Sequence, residues 1–150
     1  MNTPDPDGPL AEQLLRLTRR VWRIQKRHLQ ARDLGVTPAQ SRLLRTLAHY
    51  DAPPRMADLA ERLEVVPRAV TTLVDGLEAS GKVRRAPDPT NRRVTRIEIT
   101  DQGHATLAGL HAARRAAAEE ILAPLTQEQR EALGGLLDTL VDGPVAAKHC

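Results

Sequence analysis

The amino-acid sequence predicts a mostly α-helical protein with one small β-hairpin, on three observations. Apolar residues recur at spacings of three and four over most of the chain and turn to a two-residue period only near residues 82–100. Hydrophobic residues make up 41% of the 150 residues but aromatics only 1%, with one Trp, one Tyr and no Phe, so the core is aliphatic. Alanine is abundant, and it suits helices far better than strands. A chain of this length is expected to form one domain, over 10–150, behind a short lead-in.

Residues 1–9, rich in Pro, Gly and Asp, read as that disordered lead-in. A first helix runs from about Leu10 to Ala31, with Leu10, Leu14, Leu17, Val21 and Ile24 on one face. After a break at Leu34-Gly35-Val36, Thr37 caps a second helix, Pro38 takes its first position and Gln40 completes a capping box. Leu43, Leu44 and Leu47 form its apolar side, and it stops near Tyr50 before Asp51-Ala52-Pro53-Pro54. A short helix from about Met56 to Leu63 and a turn at Glu64-Val65-Val66 come next. A further helix then spans roughly Pro67 to Ser80, with Val70, Leu73, Val74 and Leu77 buried and Gly81 in the left-handed stop position.

The period then changes. Lys82 to Ala86 reads as one strand, Pro87-Asp88-Pro89-Thr90-Asn91 as a turn, and Arg92 to Thr100 as a second strand. Thr100 or Asp101 caps a long helix that reaches about Leu122, before Pro124. Thr126 and Gln129 box the start of a last helix bearing Leu133, Leu136, Leu137, Leu140 and Val141, locally weakened by Gly134-Gly135.

Charge is unevenly spread. Segment 10–32 has seven basic residues against Glu12, a net of +6, and segment 82–97 has six against Asp88, a net of +5. Segment 101–150 has four basic residues against seven acids, a net of −3. The basic hairpin favours a polyanion, whereas a basic first helix is also what a solvated face looks like.

The start of the chain has no apolar leader, and no run of about 18 apolar residues exists, so neither secretion nor a membrane partner is expected. The single cysteine, Cys150, excludes an intrachain disulfide and a cysteine-rich metal site. His104 and His111 stand seven residues apart, two helical turns, too far for one ion, so no metal and no cofactor is expected. A cytoplasmic protein fits these features. No H-E-x-x-H, G-x-S-x-G, phosphate-binding glycine loop or paired-cysteine motif argues for an enzyme.

A short helix, a tight turn, a second helix and a hairpin have the dimensions of a winged helix-turn-helix over 55–100, whose ligand is double-stranded DNA. In that geometry the second helix lies in the major groove. Removing its buried stripe leaves Arg68, Ala69, Thr71, Thr72 and Asp75 outward, the first four as DNA-binding candidates and Asp75 as a partner for a basic neighbour. The hairpin adds Arg84 and Arg85 on the incoming strand and Arg92 and Arg93 just past the turn. A two-residue period would send Arg92 and Arg93 to opposite sides, one of them into a minor groove.

The chain resembles the MarR family of winged-helix transcription regulators over about 10–142. The residues that carry the resemblance are Met56-Ala57-Asp58-Leu59-Ala60-Glu61-Arg62-Leu63, then Val70-Thr71-Thr72-Leu73-Val74-Asp75-Gly76-Leu77-Glu78 with Gly81. The wing follows with Asp88-Pro89-Thr90-Asn91-Arg92-Arg93 and Ile99-Thr100-Asp101-Gln102-Gly103. The resemblance implies a homodimer in which segments 10–32 and 101–142 intertwine, and a DNA-binding lobe over 37–100. It also implies a pseudo-palindromic operator, most often repression, and release by a small organic effector. Arg93 would be the minor-groove arginine, with Arg92 beside it. An effector pocket would lie among Trp22, Arg27, His28, Tyr50 and the start of the long helix.

Three residues depart from the family pattern. Asn91 replaces an Asp that holds the wing through an arginine, so a looser or differently arranged wing is expected. Val66 replaces a capping Ser, and Lys82 replaces a Leu, with its charge expected outward along the surface. The family's peroxide sensors carry a cysteine near the first helix, which this chain lacks. The alternative to a sequence-specific regulator is a winged-helix module for protein contact or for nonspecific, architectural DNA binding.

Overall fold

The computed structural model describes residues 8–143. Its elements run α1 (Pro9–Arg32), α2 (Pro38–Leu47), α3 (Met56–Leu63), α4 (Pro67–Ala79), β1 (Val83–Pro87), β2 (Thr95–Ile99), α5 (Asp101–Leu122) and α6 (Gln127–Asp142). The expected fold class, mostly α with a two-stranded hairpin, is the one observed. All but the last two residues of the expected lead-in, and Cys150, lie outside the described residues.

Local chemistry explains the boundaries. Thr37 accepts from the Gln40 N–H at 3.1 Å while Gln40 Oε1 accepts from the Thr37 N–H at 2.9 Å, a complete capping box. Thr126 and Gln129 repeat it at the start of α6. Thr100, not Asp101, caps α5 by accepting from the Gly103 N–H. α4 ends at Gly81, whose φ of 75° lets Lys82 N–H reach Leu77 O at 2.9 Å and its own N–H reach Glu78 O. Gly103 answers a different need: a Cβ there would meet the Lys82 carbonyl oxygen at 2.0 Å.

The core joins α2, α3, α4, the hairpin and the first half of α5. Leu43, Leu44, Leu59, Val70, Val74, Leu77, Val83, Ile97 and Leu110 are all within 2% of complete burial. β1 and β2 are antiparallel, with Val83 opposite Ile99 and Arg85 opposite Ile97. On the far side of β2, the Ile97 N–H donates to Pro54 O at 2.9 Å and Arg55 bridges to Arg96, so residues 53–55 flank the hairpin.

Two elements behave otherwise. α1 packs on α5, yet only Ile24 of its apolar stripe is buried, and Leu10, Leu14 and Leu17 are exposed. α6 runs unbroken through Gly134-Gly135 with no buried residue at all. Lys82 departs from expectation. It is buried, only 7% exposed, with Nζ beside Gly35 in the α1–α2 connection. Its backbone is fixed at both ends, by Leu77 O on its N–H and Thr100 N–H on its carbonyl, and this aims the side chain inward.

Candidate nucleic-acid interface

α4 presents the first part of the site. Its N-cap, Val66, makes no side-chain cap hydrogen bond, so its first N–H groups carry no local side-chain acceptor. Arg68, Thr71, Thr72 and Asp75 are exposed along the helix, and Ala69 is half-buried at its margin. The two threonine hydroxyls donate to carbonyls one turn back, Pro67 O at 3.2 Å and Arg68 O at 3.1 Å. Their lone pairs and methyl groups remain outward for a base or phosphate. The Arg68 guanidinium makes no ion pair among the described residues.

The hairpin presents the second part, and here the structure corrects the expected register. β2 begins at Thr95, so Arg92 and Arg93 sit in the turn at the wing tip and do not alternate across a strand. The cause is Asp88. Its Oδ1 accepts from the Thr90 N–H at 2.8 Å, the Thr90 hydroxyl at 2.8 Å and the Asn91 N–H at 3.1 Å. Asn91 in turn accepts from the Arg93 N–H at 3.1 Å. This chain of side-chain acceptors winds residues 88–93 into turns and delays the second strand. Both wing-tip guanidinium groups are exposed, with no ion pair among the described residues.

Asp88 also settles what anchors the wing. Its other oxygen accepts from Arg96 Nε, and Arg96 Nη1 donates to Pro53 O at 2.8 Å. The Thr90 donors, followed by Arg96, hold the Asp88 carboxyl well below the usual carboxylate range. The wing therefore has a carboxylate–arginine clamp three residues before Asn91, one that does not depend on a carboxylate at position 91. Sequence reasoning passed over Asp88 and Arg96. The spacing Asp88-Pro89-Thr90, an acceptor two residues before a free N–H, was the available signal.

The remaining wing arginines are occupied. Arg84 pairs with Glu98 across the strands at 2.6 Å. Arg85 reaches back to α4, pairing with Asp75 at 2.5 Å and Glu78 at 2.7 Å. Asp75 thus faces a basic neighbour, as expected, and Arg84 and Arg85 do not stand free as Arg92 and Arg93 do.

Of the four residues expected around an effector, two share a partner. Arg27 and His28 both meet Glu120, His28 Nε2 at 2.8 Å, near the end of α5 and not at its start. Arg27, then His28, hold the Glu120 carboxyl below the usual carboxylate range. Trp22 is 62% exposed, with the Lys26 ammonium 5.1 Å from its ring centre. Tyr50 packs against the core, donates to Asp58 O at 3.2 Å and lies under Arg62. The two aromatics drew notice for their scarcity, and scarcity carries no information about position.

Helix pair, tight turn, basic hairpin and flanking helices define a winged helix-turn-helix protein. A family model described as "MarR family" matches residues 36–95. Over that segment the chain carries a MarR-family domain. Among relatives, the HTH-type transcriptional repressor MdtR of Bacillus subtilis is 36% identical over 95 residues, 63% of this chain and 61% of MdtR. The chain thus spans about three-fifths of that relative's length. Among solved structures, YusO from B. subtilis superposes with a TM-score of 0.78 at 27% identity, covering 90% of this chain and 94% of that one. The transcriptional regulator Tm0710 from Thermotoga maritima gives 0.70 at 30% identity, covering 88% and 91%. MdtR is named as a transcriptional repressor and Tm0710 as a transcriptional regulator.

Proposed function

We propose that this protein is a transcription regulator that binds double-stranded DNA as a homodimer, most simply as a repressor. The observation that carries it is the set of exposed guanidinium groups at Arg68, Arg92 and Arg93, unpaired among the described residues, on the helix and hairpin that a winged helix-turn-helix turns toward DNA. Arg68 and the Thr71 and Thr72 side chains meet base edges or phosphates, with Ala69 at the margin. Arg93 enters a minor groove beside Arg92.

The homodimer is supported by the exposed leucine faces of α1 and α6, which nothing among the described residues covers. Opposite charge supports it too, a basic α1 facing acidic C-terminal helices. Two lobes then read a pseudo-palindromic operator in the cytoplasm. Repression follows the name of the MdtR relative. A small organic effector is the finer part of this reading. It would act by favouring a spacing of the two lobes that does not fit the operator.

Selection from a random duplex library tests the core claim. Two half-sites in inverted repeat are expected, with a specificity ratio far above about ten at physiological salt; a ratio below that sinks sequence-specific regulation in favour of architectural binding. Arg93→Ala should weaken binding about tenfold, the order expected for losing a charge-assisted hydrogen bond. Unchanged affinity would remove Arg93 from the interface.

A further inference from the structure

We infer that Arg85 is a positioning residue, which serves DNA binding by holding the wing to the recognition helix and not by touching DNA. This rests on the DNA-binding reading above. Arg85 lies opposite Ile97, which is buried, so its side chain leaves the hairpin on the protein side. Its neighbour Arg84 leaves on the other face, and its side chain is 68% exposed against 30% for Arg85.

Three hydrogen bonds fix it. The Arg85 backbone N–H donates to Glu78 Oε2 at 3.0 Å, Nη1 to Glu78 Oε1 at 2.7 Å, and Nη2 to Asp75 Oδ1 at 2.5 Å. Asp75 and Glu78 are one turn apart on α4, so the planar guanidinium spans both. Two consequences follow. The base of the wing is tied to the helix that it must act beside, which sets where Arg92 and Arg93 stand relative to Arg68. The two carboxylates, which share an exposed helix with Arg68, Thr71 and Thr72, are also offset before any phosphate approaches them. The same pairing, Asp75 first, raises the pKa of Arg85 above its usual value.

The test compares wild type, Arg85→Ala and the swap Arg85→Glu with Glu78→Arg. Affinity is measured for the duplex that the wild-type protein enriches from a random library. Amide exchange across Val83–Ile99 is measured on the free protein, with the melting temperature as the control for general stability. Arg85→Ala should speed exchange in β1 and β2 and weaken the duplex about three- to tenfold, the range for losing exposed ion pairs, while the melting temperature hardly moves. The swap should restore slow wing exchange and recover most of the affinity. Weaker DNA binding with unchanged wing exchange would overturn the inference, since Arg85 would then be a phosphate contact. A swap that restores the wing but not the affinity would do the same, and so would an Arg85→Ala protein with neither property altered. If no duplex is enriched by wild type while the exchange effect persists, the DNA-binding reading fails and the strut remains.

Discussion

The winged-helix lobe and the helices at the two ends of the chain use the same residue, leucine, in opposite ways. In the lobe, Leu43, Leu44, Leu59 and Leu77 are completely buried among their own neighbours. In α1 and α6, Leu14, Leu136 and Leu140 face solvent in rows at helical spacing. The lobe closes on itself; the ends carry apolar faces that stay bare among the described residues. The comparison with relatives divides along the same line. The family model matches 36–95, inside the lobe and its flanks, whereas the structural likeness runs over nine-tenths of the chain.

A pair of leucine truncations tests this contrast with the largest effect. Leu59→Ala should cost about 2–5 kcal/mol in urea unfolding, at every protein concentration. Leu140→Ala, at a position 69% exposed, should cost less than about 0.5 kcal/mol within one chain. It should appear instead as a shift of the monomer–dimer equilibrium in sedimentation, and hence as stability that depends on concentration. Equal, concentration-independent losses for the two would erase the distinction between the regions.

Within the lobe, acid should separate wing from core. Asp88 is acidified in the folded state, so its contribution is complete above the ordinary aspartate pKa of about 4 and is lost as pH falls below that value. Wing amides should therefore lose protection, measured against the intrinsic exchange rate at each pH, between pH 4 and pH 2 while the α2–α3 core holds. In Asp88→Asn, wing protection should be low already at pH 6 and should not fall further over that range. The smallest effect is a gain. Val66→Ser supplies the missing cap of α4 at an extended N-cap position and should add up to about 1 kcal/mol in urea unfolding. No gain would mean that its first N–H groups are already well solvated.

Much of this was legible in the chain, because it is written locally. The capping boxes at Thr37 and Thr126, the stop at Gly81 and the helical leucine rows each involve residues within about one turn, and the structure has all of them. The misreadings have one physical source. Arg-Arg-Val-Thr-Arg-Ile-Glu-Ile alternates well enough to look like strand from Arg92 onward, but side-chain acceptors at Asp88 and Asn91 outcompete the ladder there. The partners of Arg85, seven and ten residues away, and those of Arg27 and His28, more than ninety away, follow from packing and leave no periodic trace. Arg68, Arg92 and Arg93, which make no ion pair among the described residues, stood among the sequence candidates; that Arg84 and Arg85 were already taken was not legible there.

The short segment at 53–55 has a consequence beyond anchoring. A projecting two-stranded ribbon is marginal by itself, and its open edge is a template on which another chain can add a strand. Here the outward N–H of Ile97, at the middle of β2, is already spent on Pro54 O, and Arg96 is drawn across to Pro53 O. β1 ends at Pro87, which has no N–H to offer. The hairpin can therefore stand out from the protein surface, as a groove-seeking element must, without becoming a nucleus for aggregation or for strand exchange between copies.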